Sequence, residues 1–73
     1  MASQIVMDQT GDTRHYFDPL NSSERLEAEQ RFKDLTDQGF TAAKRTSPGQ
    51  TEKLRSFDPT TEETLFFPRL VGG

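Results

Sequence analysis

Two glycines, Gly72 and Gly73, stand last in the sequence after Arg69, Leu70 and Val71, and their type and position could take part in chemistry. With no Cβ on either residue the backbone can thread a narrow channel, and a carboxylate on Gly73 can reach the α-phosphate of ATP unhindered, as carrier chemistry requires. The plainer account of the same residues is a frayed end of small side chains. Other candidates are weaker. His15 is the single histidine; a hydrolytic triad would need a carboxylate to orient it and a nucleophile in front of it. Its alternation with Arg14 and Tyr16 reads instead as a half-buried strand position. The carboxylates are plentiful, 12 in number, and those of the helical stretch fall on its solvent side, with nothing to pair them in a cleft. The glycines mark turns and form no phosphate loop. Cysteine is absent, so there is neither a disulfide framework nor a Cys/His metal cluster. A self-sufficient enzyme is not expected, and neither a cofactor nor a metal is implied.

The stretch that must position the rest runs from Asn21 to Gln38. Asn21 precedes Glu24 by three residues, so its side chain can accept from an early backbone N–H while Glu24 reaches back, a capping box. A start one turn earlier, with Asp18 as cap and Pro19 at the first helical position, fits as well. Ala28, Phe32 and Leu35 fall at i, i+4 and i+7 and form one narrow apolar stripe. Leu26 lies nearly opposite, either as an ordinary exposed hydrophobe or as part of a contact site. Glu27 with Arg31 and Glu29 with Lys33 are favourably oriented i, i+4 pairs, and Gly39 can end the helix at positive φ.

Short strand-like runs flank this helix. Gln4 to Asp8 and Thr13 to Phe17 read as a hairpin around Thr10-Gly11-Asp12, with Ile5 and Met7 on one face and Val6 on the other. After Gly39, Phe40 to Arg45 reads as a third strand, Ser47-Pro48-Gly49-Gln50 as a turn, Lys53 to Phe57 as a fourth strand, and Thr64 to Phe67 as a fifth. Pairing of the last strand should stop at Phe67, because Pro68 has no N–H to give. Phe17-Asp18-Pro19 recurs as Phe57-Asp58-Pro59; both read as one local device, an aromatic ending a strand and then a capped turn. The expected class is α+β, a single small sheet in ββαβββ order with the helix on one face. Residues 1–68 should form one domain and 69–73 a flexible tail. The expected core is Ile5, Met7, Phe17, Ala28, Phe32, Leu35, Phe40, Leu54, Phe57, Leu65 and Phe67.

Composition bounds the partners. A chain of 73 residues buries only about 60% of its unfolded surface. A net charge of −3 argues against nucleic acid, since phosphate recognition needs a concentrated positive field. The nearest basic cluster, Lys44, Arg45, Lys53 and Arg55 around one hairpin, reads as a solvated strand face or a contact for an acidic partner. No apolar run is long enough to span a membrane and no basic, apolar leader is present, so a soluble, cytoplasmic protein is expected.

Gln4-Ile5-Val6 opening a hairpin, Thr10-Gly11-Asp12-Thr13 at its turn, a helix next, then Glu63-Thr64-Leu65 and Arg69-Leu70-Val71-Gly72-Gly73 together resemble the ubiquitin-like β-grasp family, which includes ubiquitin and the small sulfur carriers. The resemblance implies a β-grasp-like fold and a non-catalytic modifier or sulfur carrier. It implies that Gly73 is adenylated by an activating enzyme and then carried as a thioester or thiocarboxylate, with Gly72, Leu70 and Arg69 as recognition residues. The other reading is a small protein-interaction module that works through an exposed sheet edge or through the helix face at Leu26, with no role for the tail. A homodimer formed by edge-strand pairing belongs to that reading.

Overall fold

The computed structural model describes residues 1–68, and the elements follow in the order β1 (Ala2–Asp8), β2 (Gly11–Phe17), α1 (Ser22–Asp37), β3 (Phe40–Ser47), β4 (Gln50–Leu54) and β5 (Glu63–Pro68). The strands form one sheet in the order β2-β1-β5-β3-β4, with β5 parallel to β1 and every other pair antiparallel. One helix covers one face. This is the expected α+β class, in a β-grasp-like arrangement.

The helix begins where the cap chemistry puts it. The Asn21 side chain accepts from the Glu24 N–H at 3.2 Å, which satisfies one of the free donors of the first turn. Glu24 does not return the bond to Asn21; its carboxylate accepts from the Asp18 N–H at 3.0 Å and so closes the loop after β2. Gln38 caps the other end, and Gly39 follows at φ +100°, a conformation costly to any residue with a Cβ. Glu27–Arg31 and Glu29–Lys33 are not among the ion pairs of the described residues, which are Lys44–Glu52 and Arg45–Glu63. Arg31 turns inward instead, toward Gln4.

The core differs from expectation by a one-residue phase in two strands. Thr13, Val6, Phe66, Ala42 and Leu54 lie in register across the sheet, and Val6, Phe66 and Ala42 pack with Phe32 beneath the helix. Ala2, Phe17 and Ala28 form a second cluster beside it. Val6 and Phe66 therefore face the helix, whereas Met7 is only half-buried and Phe67 remains 36% exposed. Ile5, Leu65 and Ala43 are buried too, but in the row that faces away from the helix, between Arg14 and Lys53. The reason is physical: β1 and β5 are central strands with apolar residues on both faces, so alternation alone does not tell which face meets the helix. Leu35, Phe40, Leu54 and Phe57 are partly buried against the main cluster, as expected of them.

Boundaries shift in all five strands: β1 starts at Ala2 and β2 at Gly11, so the turn between them is Gln9-Thr10, and β3 runs on to Ser47. β4 starts at Gln50 and ends at Leu54, because Gly49 at φ +79° completes the reversal at once. Phe57 thus sits in a loop, its ring 6.0 Å from Phe17 and 6.1 Å from Phe32 between centroids. The two Phe-Asp-Pro segments do share a turn device. Asp18 accepts from the Leu20 N–H and Asp58 from the Thr60 N–H, and each aspartate carbonyl accepts from the residue three on, Asn21 or Thr61. Their aromatic partners meet in the core. Pairing of β5 continues one residue beyond expectation, to Pro68 opposite Phe40. On the β1 side it stops at Phe66, so no partner there loses the donor that proline lacks.

Candidate functional site

β5 fixes where the last residues leave the domain. It runs between β1 and β3 and parallel to β1, so its Pro68 end lies at the same end of the sheet as the Gln9-Thr10 turn, with Phe40 directly across. Arg69, Leu70, Gly72 and Gly73, on which the resemblance would place recognition and activation, lie outside the described residues, as does Val71.

Leu26 is where helical periodicity puts it, away from the sheet and 61% exposed. It lines an open depression of about 540 Å³ between α1 and the segment after β4, with Phe32 and Phe57 at its floor and Glu29, Lys33 and Arg55 around it. That rim carries charges of both signs.

The basic hairpin is not one patch. Lys44 and Arg45 are adjacent in β3 and point to opposite faces. Lys44 lies 3.9 Å from Glu52 and Arg45 lies 3.2 Å from Glu63, so half of the cluster already has a carboxylate partner.

Sequence reasoning missed a polar tie in the interior. Gln4 is fully buried under the helix, donating from Nε2 to the Ala28 carbonyl at 3.0 Å and accepting at Oε1 from Arg31 Nη1 at 2.8 Å. Both ends of the amide are thus satisfied, which makes its burial tolerable. His15, opposite Gln4 in β2, is half-buried, and its pKa is lowered, first by that burial and then by the nearby Arg31 charge. It stays neutral near pH 7 and serves as a packing residue. No pattern in the sequence announces Gln4, since one glutamine in an alternating strand is ordinarily solvent-facing.

At the turns, Asp8 and Asp58 are held below the usual carboxylate range. The largest cause is the hydroxyl bond from Thr10 or Thr60, followed by the N–H of the same residue. These bonds lock the two turns. No helix of the described residues is long and apolar enough to cross a membrane.

No protein-family model, curated protein or solved structure matches this chain.

Proposed function

We propose that the protein is a non-catalytic, ubiquitin-like modifier or sulfur carrier of the cytoplasm, activated at Gly73 by an adenylating partner enzyme. The observation that carries this reading is the placement of β5: the central strand runs parallel to β1 and ends at Pro68, immediately before Arg69-Leu70-Val71-Gly72-Gly73. A rigid sheet thereby holds the start of a segment whose last residues carry no side chain to obstruct entry into a partner.

In such a chain, with Gly73 as its carboxyl terminus, the Gly73 carboxylate attacks the α-phosphorus of ATP. The α,β-phosphoanhydride bond breaks, pyrophosphate leaves, and an acyl adenylate forms. A thiolate of the partner then attacks the acyl carbon and releases AMP, giving a thioester; where the nucleophile is a persulfide, an acyl disulfide forms, and a second thiol of the partner cleaves its S–S bond, releasing the thiocarboxylate and leaving a disulfide on the partner. The domain's own residues supply no acid, base or nucleophile to these steps. Arg69 and Leu70 would contact the activating enzyme near the strand end, and the exposed Leu26 offers a second contact on the helix.

Pyrophosphate exchange with the adenylating enzyme of the source cell tests this directly. Exchange should depend on the chain and vanish on deletion of Gly72 and Gly73. Mass spectrometry of the protein recovered from those cells should find Gly73 as a thiocarboxylate or joined to an amine. Exchange that survives the deletion, or Gly73 present solely as the free acid, would overturn the reading.

A further inference from the structure

The free edge of β2 carries an inference independent of the tail. The Ser3 N–H donates to the Glu62 carbonyl at 2.8 Å, on the β5 side of β1. Ser3 and Tyr16 are therefore a non-hydrogen-bonded pair, and by the alternation of an antiparallel ladder Ile5–Arg14 and Met7–Asp12 are too. It follows that the backbone N–H and C=O groups of Asp12, Arg14 and Tyr16 point away from β1, into the open edge.

Of the usual edge protections β2 carries charged side chains alone, at Asp12 and Arg14. β4, the other edge, is five residues long and faces a register shift between Arg45 and Ser47. β2 is seven residues long, regular in pairing, and free of proline and lysine. Its outward positions also complement themselves. Asp12 and Arg14 are exposed, two apart and on the same face. An antiparallel copy related by a two-fold axis at Thr13 sets Asp12 opposite Arg14 of the second chain and Arg14 opposite its Asp12. Both are outward-pointing residues, so each facing pair can exchange both backbone bonds. Moving the axis to Arg14 would set two arginines against each other.

We propose that β2 is a homodimer interface, joining the five-stranded sheets of two copies into one continuous sheet with two Asp12–Arg14 pairs across the axis. A closed, isologous contact of this kind pairs Asp12 and Arg14 of both copies and does not propagate through β2. β5 and the exit at Pro68 lie inside each sheet, so pairing at β2 leaves the segment after Pro68 unencumbered.

Sedimentation equilibrium of the full chain should give twice the 8.3 kDa chain mass. Asp12→Arg and Arg14→Asp each place like charges opposite one another at both positions, and each alone should weaken the dimer by about tenfold or more in Kd. Mixing the two variants sets a chain with arginine at both positions against a chain with aspartate at both. Opposite charges then face each other at both pairs, which should restore a dimer of one chain of each kind. In the wild type the amides of Asp12 and Arg14 should gain protection from hydrogen exchange as concentration rises. Both substitutions are at exposed strand positions, so circular dichroism should confirm that each variant stays folded. The proposal falls if the wild type stays monomeric up to roughly 1 mM. It falls equally if a dimer forms that neither single variant weakens, or if the mixture fails to recover it.

Discussion

Truncating Phe66 tests the phase of the central strands. Its ring is fully buried and stands at 74° to Phe32 with centroids 5.6 Å apart, at the middle of the main cluster. Phe66→Ala removes that ring from a site closed by the helix above and the sheet on either side, so the loss combines transfer energy with an unfilled cavity, about 3–5 kcal/mol. A domain of 73 residues at ~0.05–0.15 kcal/mol per residue has roughly 4–11 kcal/mol in all. Phe67 points to the opposite face and is 36% exposed, so Phe67→Ala opens no closed cavity and should cost about 1–2 kcal/mol. Urea denaturation followed by circular dichroism measures both. At a slope of ~1–1.5 kcal/mol per molar, the Phe66→Ala midpoint should fall by roughly 2 M or more. If Phe67→Ala were the more damaging, β5 would be turned over and the packing of Phe66 under the helix would be wrong.

Leu26→Ala should change stability by no more than ~0.5 kcal/mol, because the side chain is mostly in water, yet it should weaken capture of any partner that reads the helix depression. Arg31→Ala leaves Gln4 Oε1 buried without its donor and should cost about 1–3 kcal/mol in the same urea assay, while a Gln4/Arg31 double-mutant cycle should reveal coupling between them. The lowered pKa of His15 means that the unfolded chain takes up a proton first as pH drops below the ordinary 6.5. Its contribution is therefore complete above 6.5 and lost as pH falls through the lower folded value; thermal melts across that window should flatten in His15→Gln. Asp8 follows the carboxylate version of the same rule, helping above its ordinary 3.8 and ceasing to help in stronger acid, so Thr10→Ala should raise its pKa by NMR titration.

The elements were legible because their signals were local. Asn21 as cap, Gly39 after the helix and Gly49 after Pro48 each fix a backbone conformation within a few residues, and the structure uses all three. What local pattern could not carry was orientation. Ile5 and Val6 are both buried, and so are Leu65 and Phe66, so either phase of those strands fits a list of apolar positions. Order within the sheet is set at longer range still: β5 enters between β1 and β3 only once the helix has carried the chain across one face. The candidate site divides in the same way. Leu26 could be placed by helical period, whereas the value of β2 as an edge depends on which strands flank β1, a fact that no stretch of β2 contains.

Gln4 shows how the phase is decided once periodicity is indifferent. With Ile5 and Met7 toward the helix, Gln4 would lie on the open face and would lose its bonds to the Ala28 carbonyl and Arg31. With Ala2, Gln4 and Val6 toward the helix, small Ala2 lets Phe17 and Ala28 close together, and Gln4 meets both the Ala28 carbonyl and Arg31. Val6 then fills the space beside Phe32 and Phe66, while Ile5 is still covered on the far face against Leu65 and Ala43. The polar pairing of Gln4 adds to the burial of Val6 and Phe66 in favouring the observed phase. A glutamine that looks like a surface residue in the sequence thus favours the face of the central strand on which the helix lies, and the parallel register places Phe66 inward with Val6.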